Sequence, residues 1–167
     1  MLTYQRFLLI WRPEEQYYCV MKKNIELFDL RISTLGFYID RALMAMIKSL
    51  NRELDSEGLE LQHSHFTILK ILNEKADLSQ REICDIIGKD RAAVSRSLSF
   101  LEDKGYVVRE SSNKRKNKVS LTPAGKALIP KLNQIADKIT SRALKGFKGN
   151  SKEKIIDYLI KIYRNSI

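Results

Sequence analysis

Residues Ser79–Gly125 read SQREICDIIGKDRAAVSRSLSFLEDKGYVVRESSNKRKNKVSLTPAG. Ser79 and Glu82 stand three apart just ahead of Ile83 and Ile87. That is the spacing of a capping box, in which the serine oxygen accepts from a first-turn amide and the glutamate reaches back. It predicts a short helix over about 79–87. Gly88 follows and can enter a left-handed turn with no Cβ in the way. Asp90 suits the N-cap of a second helix, over about 90–103, because its charge matches the helix N-terminus. Val94, Leu98 and Leu101 form that helix's buried stripe, and Gly105 closes it. Tyr106–Arg109 and Lys118–Leu121 read as short strands flanking a cationic loop. Helix, tight turn, helix and hairpin make a winged helix-turn-helix, a shape suited to gripping duplex DNA.

Outward from this block, Leu35, Ile39, Leu43, Met46, Leu50 and Leu54 recur in steps of three and four, predicting one long amphipathic helix from about Phe28 to Leu54 that Ser56-Glu57-Gly58 ends. Phe66, Leu69 and Leu72 mark a second helix, roughly 62–73, followed by a polar turn from Asn73 to Asp77 with Leu78 beyond it. Thr122-Pro123 is an N-cap followed by proline at the first helical position. Leu128, Leu132, Ile135, Ile139 and Ala143 then line one face of a long helix, which Gly146 and Gly149-Asn150 break before a last helix of about 151–165 bearing Ile155, Leu159 and Ile162. The expected fold is mainly α with a small β-wing, in the order α-α-α-α-β-β-α-α. Its divisions are an N-terminal arm (1–27), a first dimerisation helix (28–58), the winged helix-turn-helix (59–121) and C-terminal dimerisation helices (122–167). A thin terminal helix cannot bury its stripe alone, so the two chain ends are expected to pack on each other and on a second subunit.

Charge points the same way. The 167 residues carry net charge +10, which favours a polyanionic partner but is shared by ribosomal, membrane-surface and nucleic-acid proteins. Its distribution says more: 10 basic and 11 acidic side chains over residues 1–78, 11 and 6 over 79–126, and 9 and 3 over 127–167. The excess begins where the two-helix block begins. No run approaches the roughly 20 apolar residues that span a bilayer, so no membrane partner is expected. Phe7–Trp11 is too short for a signal-peptide core, and Met21-Lys22-Lys23-Asn24 resembles a protein start. Cys19 and Cys84 lie far apart in no metal or redox spacing, which fits a reducing cytoplasm.

With Val94, Leu98 and Leu101 buried, Arg91, Ala92, Ser95, Arg96 and Ser99 face outward. Small side chains at 92 and 95 let the backbone sit deep in a major groove, and the arginines then reach guanine edges or phosphates. The alternative is an ordinary solvated helix face. The wing carries Arg109, Lys114, Arg115, Lys116 and Lys118 against one acid, Glu110, a tip that the minor groove and its phosphates attract; a solubilising loop is the alternative. Thr122 and the helix start at Pro123 can touch a phosphate or serve only as a cap.

The element order, the run Leu78–Ile83, the block Asp90–Arg96, the closing Leu101–Val107 and the post-wing Val119–Gly125 together resemble the MarR (multiple antibiotic resistance regulator) family of bacterial transcription factors, over about residues 30–165. The resemblance implies a homodimer held by the terminal helices, with a DNA-reading lobe on each side. It also implies that a small-molecule effector, or oxidation, loosens DNA binding, with the effector lodged among the first, second and fifth helices. In that family an aspartate usually stands two residues before a wing arginine. Here the two positions are Asn113 and Arg115: Arg115 is the implied minor-groove arginine, and the acid that would hold it is replaced by an amide without charge assistance.

Cys84, between Ile83 and Ile87, reads as a packing residue where the family usually has a smaller one. Cys19 precedes the first long helix, where some family members sense peroxide, but its surroundings match poorly. His63 and His65 read as surface or helix-start histidines, and no metal is expected there. No phosphate-cradling glycine loop, nucleophile elbow or paired acid and base is present, so neither an enzyme nor a cofactor is expected. The basic Lys145, Lys148, Lys152 and Lys154 read as a solvated face, with added positive field for DNA as the alternative. The expectation is therefore a dimeric, cytoplasmic, sequence-specific transcriptional regulator, a repressor before an activator, on a pseudo-palindromic operator. Its rivals are a winged helix that docks an acidic protein and a nonspecific DNA-coating protein.

Overall fold

The computed structural model describes residues 34–110 and 118–167. The N-terminal arm with Cys19, and the wing-tip residues Asn113, Lys114, Arg115 and Lys116, lie outside the described residues. The chain divides into two compact units, Met1–Ala42 and Leu43–Ile167. Of the first, only the opening turns of a helix are described, where Phe37 and Tyr38 meet edge to face with ring centres 5.5 Å apart.

The elements in order are α1 (Leu35–Ser56), α2 (His63–Glu74), β1 (Leu78–Ser79), α3 (Gln80–Ile87), α4 (Arg91–Asp103), β2 (Val107–Glu110), β3 (Lys118–Leu121), α5 (Pro123–Ala143) and α6 (Ser151–Ser166). The core of the second unit gathers Leu54 of α1, Ile68 and Leu69 of α2, Leu78, Ile83 of α3, Leu98 and Leu101 of α4, Val119 of β3 and Leu132 of α5, all fully buried. This is the arrangement of a helix-turn-helix with a wing, seated on the last turns of α1 and the middle of α5.

The sheet differs from the expected two-stranded hairpin. It has three strands in the order β1-β3-β2, because Leu78 and Ser79 pair antiparallel with Val119 and Lys118. A two-residue strand has no alternation to see in a sequence. Ser79 thus serves twice, as a strand residue and as the cap of α3.

The apolar stripes are also buried less evenly than expected. In α1 only Leu50, Glu53 and Leu54 are buried, while Leu35, Leu43 and Met46 stay exposed. In α5 the buried set is Gly125, Ile129, Leu132, Ile135 and Ile139; Leu128 is half-buried and Ala143 exposed. The expected packing of the chain ends holds between α1 and α5, where Lys138 and Arg142 converge on the buried carboxylate of Glu53. Helix α6 buries none of its residues.

One close approach fixes where α5 starts. A Cβ added to Gly125 would lie 2.1 Å from the Tyr106 carbonyl oxygen, so only glycine fits. The Thr122 hydroxyl donates to the Gly105 carbonyl at 2.6 Å and accepts from the Gly125 amide at 3.1 Å, and the Thr122 amide donates to the Tyr106 carbonyl at 3.1 Å. The Thr-Pro-Ala-Gly run therefore ties the end of α4 and the root of the wing to α5.

Candidate nucleic-acid interface

The local chemistry of Ser79–Asp90 sets the angle at which α4 is presented. The Ser79 hydroxyl accepts from the Glu82 amide at 3.3 Å, and the Ser79 amide donates to Glu82 Oε2 at 2.8 Å, closing the capping box. Gly88 ends α3 in the left-handed region, φ 68°, its amide donating to the Cys84 carbonyl at 2.8 Å. Asp90 caps α4 by accepting from the Ala93 amide at 2.8 Å, and that hydrogen bond holds its carboxyl below the ordinary value. Gln80 Nε2 donates to the Arg91 carbonyl at 3.1 Å, binding the start of α3 to the start of α4.

Helix α4 buries Val94, Ser97, Leu98 and Leu101. On the opposite side Arg91, Ala92, Arg96 and Ser99 are exposed and Ser95 is half-buried, one continuous outward face. Ser97, unremarked in the sequence, is inside. Lys89 stands exposed on the turn and, with Arg96, His65 and Phe100, lines a cavity of about 390 Å³ beside α4.

In the wing, β2 and β3 pair antiparallel, with Arg109 opposite Val119 and Glu110 opposite Lys118. Lys118 is exposed. Arg109 and Ser99, both expected at the DNA face, also meet each other: Arg109 Nη2 donates to Ser99 Oγ at 2.7 Å. Arg109 Nε also lies 3.1 Å from Glu102 Oε2.

The histidines are built into the fold. The His63 amide donates to Asn51 Oδ1 at 2.9 Å, and His65 Nδ1 accepts from the Gln62 amide at 3.2 Å. The His65 ring stacks on Phe100 of α4 at 4.2 Å, with planes 6° apart. Burial lowers both imidazoles, with the charge of Lys89 a second cause at His63. Cys84 is half-buried against the core. Among the described residues no three His, Cys, Asp or Glu side chains gather as a metal site, and no helix is long and apolar enough to cross a membrane.

A second cavity, of about 190 Å³, lies among α1, α2 and α5, lined mainly by apolar groups (Met46, Leu50, Phe66, Ile139) with His63 and Thr140 as its polar members. These are the three helices from which effector contacts were expected.

Residues 61–108 match the family model for winged helix-turn-helix DNA-binding proteins. Among solved structures, the chain is similar to a MarR transcriptional regulator from Methanosarcina mazei Go1, at 23% identity over 79% of this chain and 88% of that one, TM-score 0.72. It is also similar to a MarR family transcriptional regulator from Rhodococcus sp. RHA1, at 23% identity over 77% and 91%, TM-score 0.70. A Mycobacterium tuberculosis MarR family protein, solved in complex with p-aminosalicylic acid, matches at 24% identity over 77% and 98%, TM-score 0.64.

Proposed function

We propose that this chain, whose fold is that of the MarR-family transcriptional regulators, is a ligand-responsive repressor that binds a pseudo-palindromic operator as a homodimer in the cytoplasm. The observation that carries this reading is the outward face of α4: Arg91, Ala92, Ser95 and Arg96 on one side of a helix capped at Asp90, with small side chains between the two cations. Two such helices enter successive major grooves about one turn (~34 Å) apart. Lys118 brings positive charge to the flanking minor groove, and the sequence adds Lys114, Arg115 and Lys116 between the two wing strands.

Homodimerisation is supported by α6. Tyr158, Leu159 and Tyr163 are exposed on a helix that buries nothing in its own chain. The effector site is the cavity among α1, α2 and α5, whose lining suits a small, largely apolar molecule with a polar group toward His63 or Thr140. The mycobacterial MarR family protein was solved with a small aromatic acid, p-aminosalicylic acid, which supports a small-molecule effector here. An effector acts only if it binds the DNA-competent and DNA-free arrangements unequally.

The test is binding to duplex DNA across a salt series with random competitor. The regulator reading expects a steep log-log salt dependence together with strong preference for one selected sequence. Unselective binding would replace it with a DNA-coating role. No binding at low salt would leave the winged helix as a protein-docking module.

A further inference from the structure

We infer that Arg109 is a positioning residue that fastens the wing to α4 and does not itself contact DNA. This rests on the reading of α4 and the wing as one DNA-binding pair. Side chains alternate along a strand. Val107 is buried, so Arg109, two residues on, faces the body of the protein, while Val108 and Glu110 are exposed on the other side. Ser99 and Glu102 are three residues apart on α4 and therefore share a face.

The guanidinium spans that face. Nη2 donates to Ser99 Oγ at 2.7 Å, and Nε, closed off from solvent, sits 3.1 Å from Glu102 Oε2 as an ion-pair contact and not as a linear hydrogen bond. The Arg109 backbone amide adds a third tie, to Glu102 Oε1 at 3.3 Å. The side chain is only 26% exposed.

Position makes this contact consequential. Val107 anchors the root of β2 in the core, and Arg109 is the last attachment to α4 before the strand ends at Glu110. The tie therefore sets the angle between the major-groove helix and the minor-groove wing. It also neutralises Glu102, a carboxylate on α4 that would otherwise repel phosphates. A planar fork can engage a hydroxyl and a carboxylate together, which a lysine ammonium cannot do with the same geometry.

Two measurements on the full chain test this. In DNA-free protein, hydrogen exchange at the β2 and β3 amides should speed about tenfold in Arg109→Ala, in Arg109→Lys and in Ser99→Ala/Glu102→Gln, and stay unchanged in Lys118→Ala. Unchanged exchange in the Arg109 and Ser99/Glu102 variants overturns the inference. Against a duplex selected from a random pool by the unaltered protein, Arg109→Ala and Arg109→Lys should both bind roughly tenfold more weakly, with an unchanged slope of log affinity against log salt. A slope shallower by about one, or rescue by lysine, would make Arg109 a phosphate contact and overturn it. If the unaltered protein selects no duplex, the proposed function falls, and the exchange experiment still decides whether the tie holds the wing.

Discussion

In the proposed complex, the cations of α4 and of the wing have separable tasks. Arg96 is exposed beside the small Ser95 and Ala92, a position from which it would reach a base edge. Lys118 is exposed at the start of β3, and in the proposed complex it would lie against phosphates flanking the minor groove. Arg96→Ala should therefore lower preference for a selected operator over random duplex by about 1–3 kcal/mol. Lys118→Ala should weaken all duplexes about equally and make the salt slope shallower by roughly one. Competition titrations at several salt concentrations separate the two, and equal effects would refute this division. The direction of Arg96 was legible beforehand because helical period alone decides which way it points. The pairing of Arg109 with Ser99 was not, since it joins two elements through space, although the alternation from buried Val107 already hinted at the direction.

Among the elements, the capping box at Ser79 and the Thr122–Gly125 run are local devices whose spacing is visible in any sequence. What they connect is not. Gly125 looks like a routine helix residue until the Tyr106 carbonyl is seen 2.1 Å from where a Cβ would stand. Because the obstacle is backbone, it cannot swing aside. Gly125→Ala should destabilise the protein by about 1–3 kcal/mol, read as a lowered denaturation midpoint with an unchanged denaturant slope. A midpoint equal to that of the unaltered protein would mean that the α5 start can shift without loss. Strand β1 and the burial of Ile129 instead of Ala143 were missed for a related reason: both depend on which neighbour lies opposite, not on period.

For the molecule as a whole, two features follow from charge and uncovered surface. Lys138 and Arg142 stay accessible while their shared partner Glu53 is buried. The Lys138 hydrogen bond, opposed in part by burial, holds Glu53 below its ordinary 4.5. Its contribution to stability is thus full above pH 4.5 and is lost as pH falls through the lower folded value. His63 and His65 lie below their ordinary 6.5 because of burial, so the unfolded chain takes up protons first and stability already declines as pH drops below 6.5. Thermal unfolding across acid pH should show both stages, with Glu53→Gln flattening the second; a melting temperature constant between pH 6.5 and 4.5 would contradict the histidine assignment. The uncovered α6 carries the other prediction. Leu159→Glu should halve the mass seen by sedimentation at micromolar concentration, and a dimer that survives it would place the interface elsewhere.

The sequence by itself determined the helix-turn-helix, the wing strands, the caps and the face of α4, because each depends on spacing within a few residues and on the conformational limits of serine, aspartate, proline and glycine. Only the tertiary structure decided that the wing root is tied to α4 through Arg109, that β1 completes the sheet, that Glu53 is clamped by α5, and that α6 is left without cover in its own chain. Those outcomes turn on contacts between segments up to about ninety residues apart along the chain, such as Arg142 with Glu53. Such contacts arise from packing a shared core, which no local pattern encodes.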